Sequence, residues 1–394
     1  MRKTVIGGDI CKSSIVCWKL DEIPTDLRKY FRDNKRLKRT DPLTFNLNSE
    51  SVGKFVEFLQ TSDGLVMEPT GGNYSYLWAK IAETHQIPVF WVGHPEVKYL
   101  RKSERLPDKN DQADAIALAV YGLKHWDKPE AFLKFEPGLI KEINDRYLQL
   151  HSLARIQSPI INRLRQQMAR EFPEVAHVKS LPAGDGLSPL WAWIAGRERY
   201  TNRGANKYSK KYEKSVAPQY GIEISEFSRF LANQLCELHL HEFLLRRELD
   251  SLVYSPEFDH FNQVFNLYNF GLMVRAMLLV RCYPFSRFES EGAFKRRLGF
   301  GREEKSSGDM ERFSKSGSSL ARSELYLWCV TVVGKGRLIS RVGLEIIAKF
   351  EYYREQLQKD PNKGQKFTDL VRSRTVAFML RRLFRDLKRS CMRS

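Results

Sequence analysis

TVIGGDICKSSIVCW, residues 4–18, decides how the first third of the chain is read. Residues 4–6 form a short apolar run that ends in Gly7-Gly8-Asp9, and residues 15–18 form a second one, the pattern of a β-hairpin. Working outward, Thr44, Phe45 and Leu47 mark a third strand. Asn48-Ser49 offers an N-cap for a helix carrying Val52, Phe55, Val56 and Leu59. Leu65-Val66-Met67 reads as a buried strand ending at Glu68, broken off by Pro69-Thr70-Gly71-Gly72. Tyr76, Leu77, Ile81 and Ala82 mark a helix, residues 89–92 a strand, and 111 to about 124 a helix through Ala115, Leu118, Ala119 and Tyr121. Strands alternating with helices after an opening hairpin predict one mixed sheet covered by helices, an α/β domain over residues 1–130.

Four acids stand at telling places in that pattern. Asp9 follows an apolar run, Glu68 ends another, and Asp111 and Asp114 are three apart and so share a helix face. Carboxylates at neighbouring strand ends and on a nearby helix suit Mg²⁺, or Mn²⁺, in phosphodiester chemistry. Each acid also has a structural reading. Asp9 reads as a turn residue, Glu68 as a solvated strand end, Asp111 as an N-cap and Asp114 as a first-turn partner of the helix dipole.

The rest of the chain is of another kind, and the predicted whole is α/β plus α. Leu139, Ile143, Tyr147, Leu150, Leu153, Ile156, Ile160 and Leu164 form an amphipathic stripe, which Pro159 should kink or interrupt. A second stripe from Ile224 to about Val253 holds Phe227, Phe230, Leu231, Leu235, Leu238, Phe243, Leu245 and Leu249. Together they predict a long-helix, coiled-coil region over 137–258, as an antiparallel hairpin, a dimerisation arm or plain bundle helices. A Gly-, Ser-, Lys- and Tyr-rich connector, 180–221, is inserted in it. A mainly helical domain over 260–350 and a basic helical tail over 351–394 complete the division.

The chain has 394 residues, is 42% hydrophobic and carries a formal charge of +18, which favours a polyanionic partner over a merely soluble basic protein. Its cysteines (Cys11, Cys17, Cys236, Cys282, Cys329 and Cys391) form no CxxC pair, which argues against a zinc ribbon or disulfide framework and for a reducing cytosol. The opening MRKTVIGGDI does not read as a signal peptide, and no apolar run approaches the roughly 18 residues of a membrane helix. The expected location is the cytoplasm, at the nucleoid, with no membrane partner.

The strings GGDICK (7–12), MEPTGG (67–72) and KNDQADAIALA (109–119) resemble the three N-terminal motifs of the DEDD transposases of the insertion-sequence 110 type. Those enzymes are related to the Piv and MooV DNA invertases and to bridge-RNA-guided recombinases. Lys12, Thr70, Gly71, Pro95, Lys109 and Ala115 fit as flanking residues. The resemblance implies a RuvC-like domain of RNase H fold in which Asp9, Glu68, Asp111 and Asp114 bind Mg²⁺. A second resemblance, over 287–328, is to the family's C-terminal transposase domain through Arg287-Phe288, Leu298-Gly299, Ser307-Gly308, Lys315-Ser316-Gly317 and Arg322. It implies Ser307 as a nucleophile that forms a covalent link to DNA. From the residues alone the same stretch reads as a flexible, phosphate-binding Ser/Gly/Lys loop. The family's Pro-Gly-Ile-Gly-like turn is replaced by Leu267-Tyr268-Asn269-Phe270-Gly271, and the resemblance covers 1–175 and about 260–345.

Basic residues complete the expectations. Lys98, Arg101, Lys102, Arg105 and Lys109 would hold a DNA backbone beside the acids, or form a solvated loop. Arg302, Arg312, Lys315 and Arg322 would clamp a phosphate near Ser307. Lys207, Lys210, Lys211 and Lys214, interleaved with Tyr208 and Tyr212, suit irregular RNA whose bases stack, or a tyrosine-bearing surface loop. The resemblance implies double-stranded donor and target DNA, a structured non-coding guide RNA and, since two duplexes are exchanged, a homodimer or homotetramer touching through the long helices. The competing readings are a hydrolytic nuclease of the Holliday-junction-resolvase type and a non-catalytic nucleic-acid-binding protein.

Overall fold

The computed structural model describes residues 3–37, 43–69, 73–108, 110–135, 138–197, 205–307, 310–358 and 367–391, with 35–37, 205–206, 302–307, 310–315 and 367 described by backbone alone. The chain divides into two compact units, Met1–Phe135 and Glu136–Ser394. The layout is α/β in the first and mainly helical in the second.

The first unit holds strands β1 (Val5–Ile10), β2 (Ser14–Leu20), β3 (Leu43–Asn46), β4 (Gly64–Met67) and β5 (Val89–Trp91), in the order β3-β2-β1-β4-β5. β2 runs antiparallel to β1 and β3, while β1, β4 and β5 are parallel. Helices α1 (Leu27–Leu37), α2 (Ser49–Leu59), α3 (Asn73–Thr84), α4 (His94–Ser103) and α5 (Asp111–Lys124) cover both faces. Alternation along the strands sorts the side chains. Val5, Val16, Trp18 and Val66 pack under α1, α4 and α5, whereas Ile6, Ile10, Ile15, Leu65 and Met67 pack under α2 and α3. Coverage on both sides explains why β4 reads as an unbroken apolar run.

Asn48 caps α2, its side chain accepting from Ser51 N at 2.9 Å. In α3 the inward residues are Ser75, Trp78, Ala79 and Ala82, so of the expected stripe Ala82 and Ile81 pack on the core while Tyr76 and Leu77 are exposed. Trp78 decides the rotation, meeting Phe55 edge-on at 5.0 Å. Helix α1 was not anticipated, and the basic stretch before Asp111 is helix α4 rather than a loop.

In the second unit, α6 (Leu139–Glu171) continues through Pro159, so of the expected kink or interruption the interruption does not occur. Pro159 and Arg155, whose carbonyl loses its helical donor, are both exposed, so water can satisfy that carbonyl. Ile156 is exposed and Gln157 takes the inward position, donating to Glu242 at 2.8 Å. The short helices α7 (Pro189–Ile194), α8 (Ala205–Glu213) and α9 (Val216–Gln219) lead to α10 (Glu226–Val253). α6 and α10 lie antiparallel within one chain, tied by Arg146–Glu248, Gln157–Glu242 and Ser225–Glu171. The connector is not loop-rich where described. Leu190, Trp191 and Ile194 of α7 and Tyr208 of α8 close a core with Phe172, Val175, Leu231 and Leu235.

Helices α11 (Asp259–Leu267), α12 (Leu272–Cys282), α13 (Glu291–Arg297), α14 (Ser319–Trp328), α15 (Arg341–Gln358) and α16 (Phe367–Cys391) follow, with a two-stranded ribbon, β6 (Gly301–Ser307) and β7 (Met310–Ser316), between α13 and α14. The basic tail is a packed helix: Val371, Val376, Met379, Leu380, Leu383 and Leu387 of α16 are buried. In the turn before α12, Tyr268 and Phe270 are buried and stacked at 5.2 Å, which turns them away from any nucleic acid. No helix among the described residues is long and apolar enough to cross a membrane.

Candidate metal centre

Three sequence motifs meet at one edge of the first unit. Asp9 shares its strand face with Val5 and Gly7, the face under α5. Glu68 follows β4 with the parity of Val66, on the same face. The parallel ladder ends at Gly8↔Met67, so Asp9 and Glu68 continue it side by side at the carboxyl ends of two neighbouring strands. Asp111 and Asp114 stand in the first turn of α5. The N-cap is Asn110, whose side chain accepts from Ala113 N at 3.1 Å. Asp111 is therefore not the cap, and both acids remain available.

Glycine brings helix and strand together. A Cβ on Gly7 would lie 2.1 Å from Ala115 O and 2.3 Å from Ala119 N, so backbone packs on backbone. A Cβ on Gly122 would lie 2.6 Å from Val66 Cγ2 and 2.8 Å from Val5 Cγ1. With any larger residue at these points α5 would ride higher, and its first turn would leave Asp9.

The electrostatics record the convergence. Burial, then Asp114, Asp111 and Glu68 in that order, pushes the Asp9 carboxyl up to about 7. Burial also pushes Asp114 up to about 6, against the pull of Arg101 and with Glu68 and Asp111 adding to the rise. Cys11, raised to about 11 chiefly by burial and then by its bond to Asp111, donates its thiol to Asp111 Oδ2 at 3.0 Å. His94 Nδ1 lies 3.3 Å from Glu68 Oε2. Arg101, 7% exposed, brings Nε to 2.6 Å from Asp114 Oδ1. That contact is an ion pair without an aligned hydrogen bond, since Nε and Nη1 of Arg101 are buried with no aligned acceptor.

Sequence reasoning missed Cys11 and His94 as partners of the acids and placed Arg101 on a DNA-facing surface, where the structure turns it inward. The signal for His94 was Gly93-His94-Pro95, a helix start directly after β5. Lys98, Lys102 and Arg105 are exposed, on α4 and the turn after it, and Lys109 lies outside the described residues. So do Thr70, Gly71 and Gly72.

An all-oxygen carboxylate set suits hard divalent ions such as Mg²⁺ or Mn²⁺. Acids that keep protons near neutrality fit a cluster of four carboxylates in which one guanidinium, Arg101, does not balance the charge. Among the described residues no three His, Cys, Asp or Glu side chains already converge at ligating geometry. The acid oxygens are engaged with Arg101, Cys11 and His94 instead.

The second group of expected residues lies in the second unit. Ser307 ends β6 opposite Met310, Arg302 pairs with Lys315, and Arg312 with Lys305, so a ribbon stands where a flexible loop was one reading. The motif glycines form its foot. Gly299 has φ +84° and Gly317 φ +92°, and Arg322 Nη1 donates to Gly299 O at 2.7 Å. Arg322 is thus a brace as well as a candidate phosphate contact. Neither reading of Tyr208 and Tyr212, a stacking platform or a surface loop, fits their placement on a helix against a core. Tyr208 is buried, and Tyr212 packs on Phe172 at 5.1 Å while its hydroxyl accepts from Ile224 N.

No family model and no curated protein matches the chain. Among solved structures, T. thermophilus RuvC in complex with a Holliday junction substrate matches at 15% identity and a TM-score of 0.20, covering 33% of this chain and 99% of that one. A likeness that slight carries no argument about this chain.

Proposed function

We propose that this chain is a DNA transposase or site-specific recombinase of the type its motifs resemble. In this reading Asp9, Glu68, Asp111 and Asp114 hold Mg²⁺, or Mn²⁺ in its place, and Ser307 attacks DNA to form a covalent intermediate. The observation that supports it is that Asp9, at the end of β1, feels the charges of Glu68, Asp111 and Asp114 from the two other motifs. The order β3-β2-β1-β4-β5, with β2 alone running against the other four strands, supports a RuvC-like ribonuclease H fold for the first unit.

A divalent ion there would supply Lewis acidity toward a phosphate oxygen. The chain's own residues do the rest. Ser307 Oγ bonds to phosphorus and loses its proton, the DNA oxygen leaves and takes one up, and a later DNA hydroxyl reverses the step, so bond energy is kept for rejoining. Exposed Lys98, Lys102 and Arg105 suit the phosphate backbone beside the acids. The formal charge of +18 fits donor and target duplexes and a structured guide RNA, handled by a homodimer or homotetramer in the cytoplasm, at the nucleoid.

Denaturing gels of the protein incubated with DNA, guide RNA and Mg²⁺ test the reading. Wild type should give a covalent adduct, and Ser307→Ala none. Asp9→Asn should lose roughly 1000-fold in rate. Recombination by Ser307→Ala would sink it. The alternative is a nuclease that uses water, favoured by the presence of all four acids in one compact unit. Cleavage without an adduct, unchanged in Ser307→Ala, would establish that instead.

A further inference from the structure

We infer that the carboxylate cluster is built for one divalent ion rather than two, with the Arg101 guanidinium standing as its second cation. The inference rests on the metal reading above and deepens it. The four acids are not equivalently partnered. Asp111 faces a neutral thiol, and Glu68 faces His94, whose side chain is 74% exposed. Both partners can swing away into solvent or surrender an oxygen to an incoming ion. Asp114 is different, because its partner is buried and permanently charged.

Arg101 reaches Asp114 from the last turn of α4, seven residues after His94 and hence on the same side of the helix. Val97 and Leu100, buried beside it, fix that helix against α5. The guanidinium cannot leave without becoming an unpaired buried charge. Nη1 is buried without an aligned acceptor, so the group is held at the acids rather than saturated elsewhere. Paired ions of a two-metal centre stand about 4 Å apart and share carboxylates. A cation whose Nε is 2.6 Å from Asp114 Oδ1 already fills the space on that side of the cluster. A further divalent ion on Asp114 would meet it at short range in a poorly screened setting. Asp9, Glu68 and Asp111 face no such obstacle.

Manganese counting on the full chain tests this, by calorimetric titration and by the loss of free Mn²⁺ signal in electron paramagnetic resonance. The expected results are one ion per chain for wild type and for Arg101→Lys, which keeps the charge. For Arg101→Gln the expected result is two, or a second ion at least ~10-fold tighter than in wild type. Two ions of similar affinity in wild type overturn the inference while leaving the metal reading standing. A single ion in a folded Arg101→Gln protein does the same. No bound ion, or binding unchanged by Asp9→Asn, overturns both. Should Arg101→Gln not fold, the wild-type count alone still decides.

Discussion

The acid cluster and the serine ribbon are both positioned by glycine, for opposite reasons. At the cluster, Gly7 lies in an extended strand where any residue could adopt the backbone, and what matters is the missing side chain. At the ribbon's foot, Gly299 and Gly317 hold positive φ, and what matters is a backbone that L residues with side chains resist. The first arrangement presses a helix onto a sheet and fixes the acids at the rim of a core. The second anchors one end of a two-stranded arm, leaving Ser307 six residues, roughly 20 Å, beyond the ribbon's first residue, Gly301. A charge cluster needs tight relative placement. A nucleophile that must meet DNA tolerates reach.

The largest effect should come from Gly7→Ala. Its Cβ would strike the backbone of α5, which cannot rotate away, and a loss above about 4 kcal/mol is expected in urea denaturation of the first unit. A near-normal midpoint would show that α5 can lift, and the comparison would fail. Gly317→Ala combines φ +92° with a Cβ only 1.9 Å from Arg296 O. About 2–3 kcal/mol is expected, read as lost hydrogen-exchange protection in β6 and β7 with the first unit untouched. Co-operative loss of both units would contradict the idea of a separately anchored arm.

The next effect is electrostatic and belongs to the cluster alone. Folded Asp9 and Asp114 keep protons up to about pH 7 and 6, against 3.8 for an ordinary aspartate. Between these limits the folded chain binds more protons than the unfolded one, so their contribution to stability falls as pH rises from about 4 to about 7. Without metal, the melting midpoint of the first unit should drop between pH 5.5 and 8, and Asp9→Asn should flatten the drop. Mg²⁺ should raise the midpoint more at pH 8, where fewer protons compete. A slope of opposite sign in the metal-free protein would refute the cluster. The smallest effect is the control. Gly53, inside α2 with nothing within 4 Å of its Cβ position, should gain about 0.5–1 kcal/mol on change to Ala. Set beside Gly7→Ala, it separates glycines that position from glycines that merely occur.

These contrasts also explain what the sequence disclosed. The four acids were legible because each sits at the end of an apolar pattern, where element type and boundary are both readable. Helix α4 was not, since one of its inward positions is Arg101, and a buried cation hides the stripe that Val97 and Leu100 begin. The ribbon is not legible in the sequence, because GREEKSS and MERFSKS lack the alternation of a half-buried strand. In α8, aromatic residues among lysines suggested a surface for bases. The same spacing turns Tyr208 and Tyr212 into a core. Charge and periodicity reveal which elements exist. They say much less about which way a mixed face will turn.

The backbone contact between β1 and α5 has a consequence for anyone wishing to move this site. Grafting the four acids onto another sheet would transplant its chemistry without its geometry. Gly7, Gly122, Ala115 and Ala119 carry no reactive group, yet a recipient scaffold lacking them would hold the acids apart. In a survey of tolerated substitutions, silence at Gly7 should run as deep as at Asp9, and the most exacting instructions for the centre would come from residues that take no part in it.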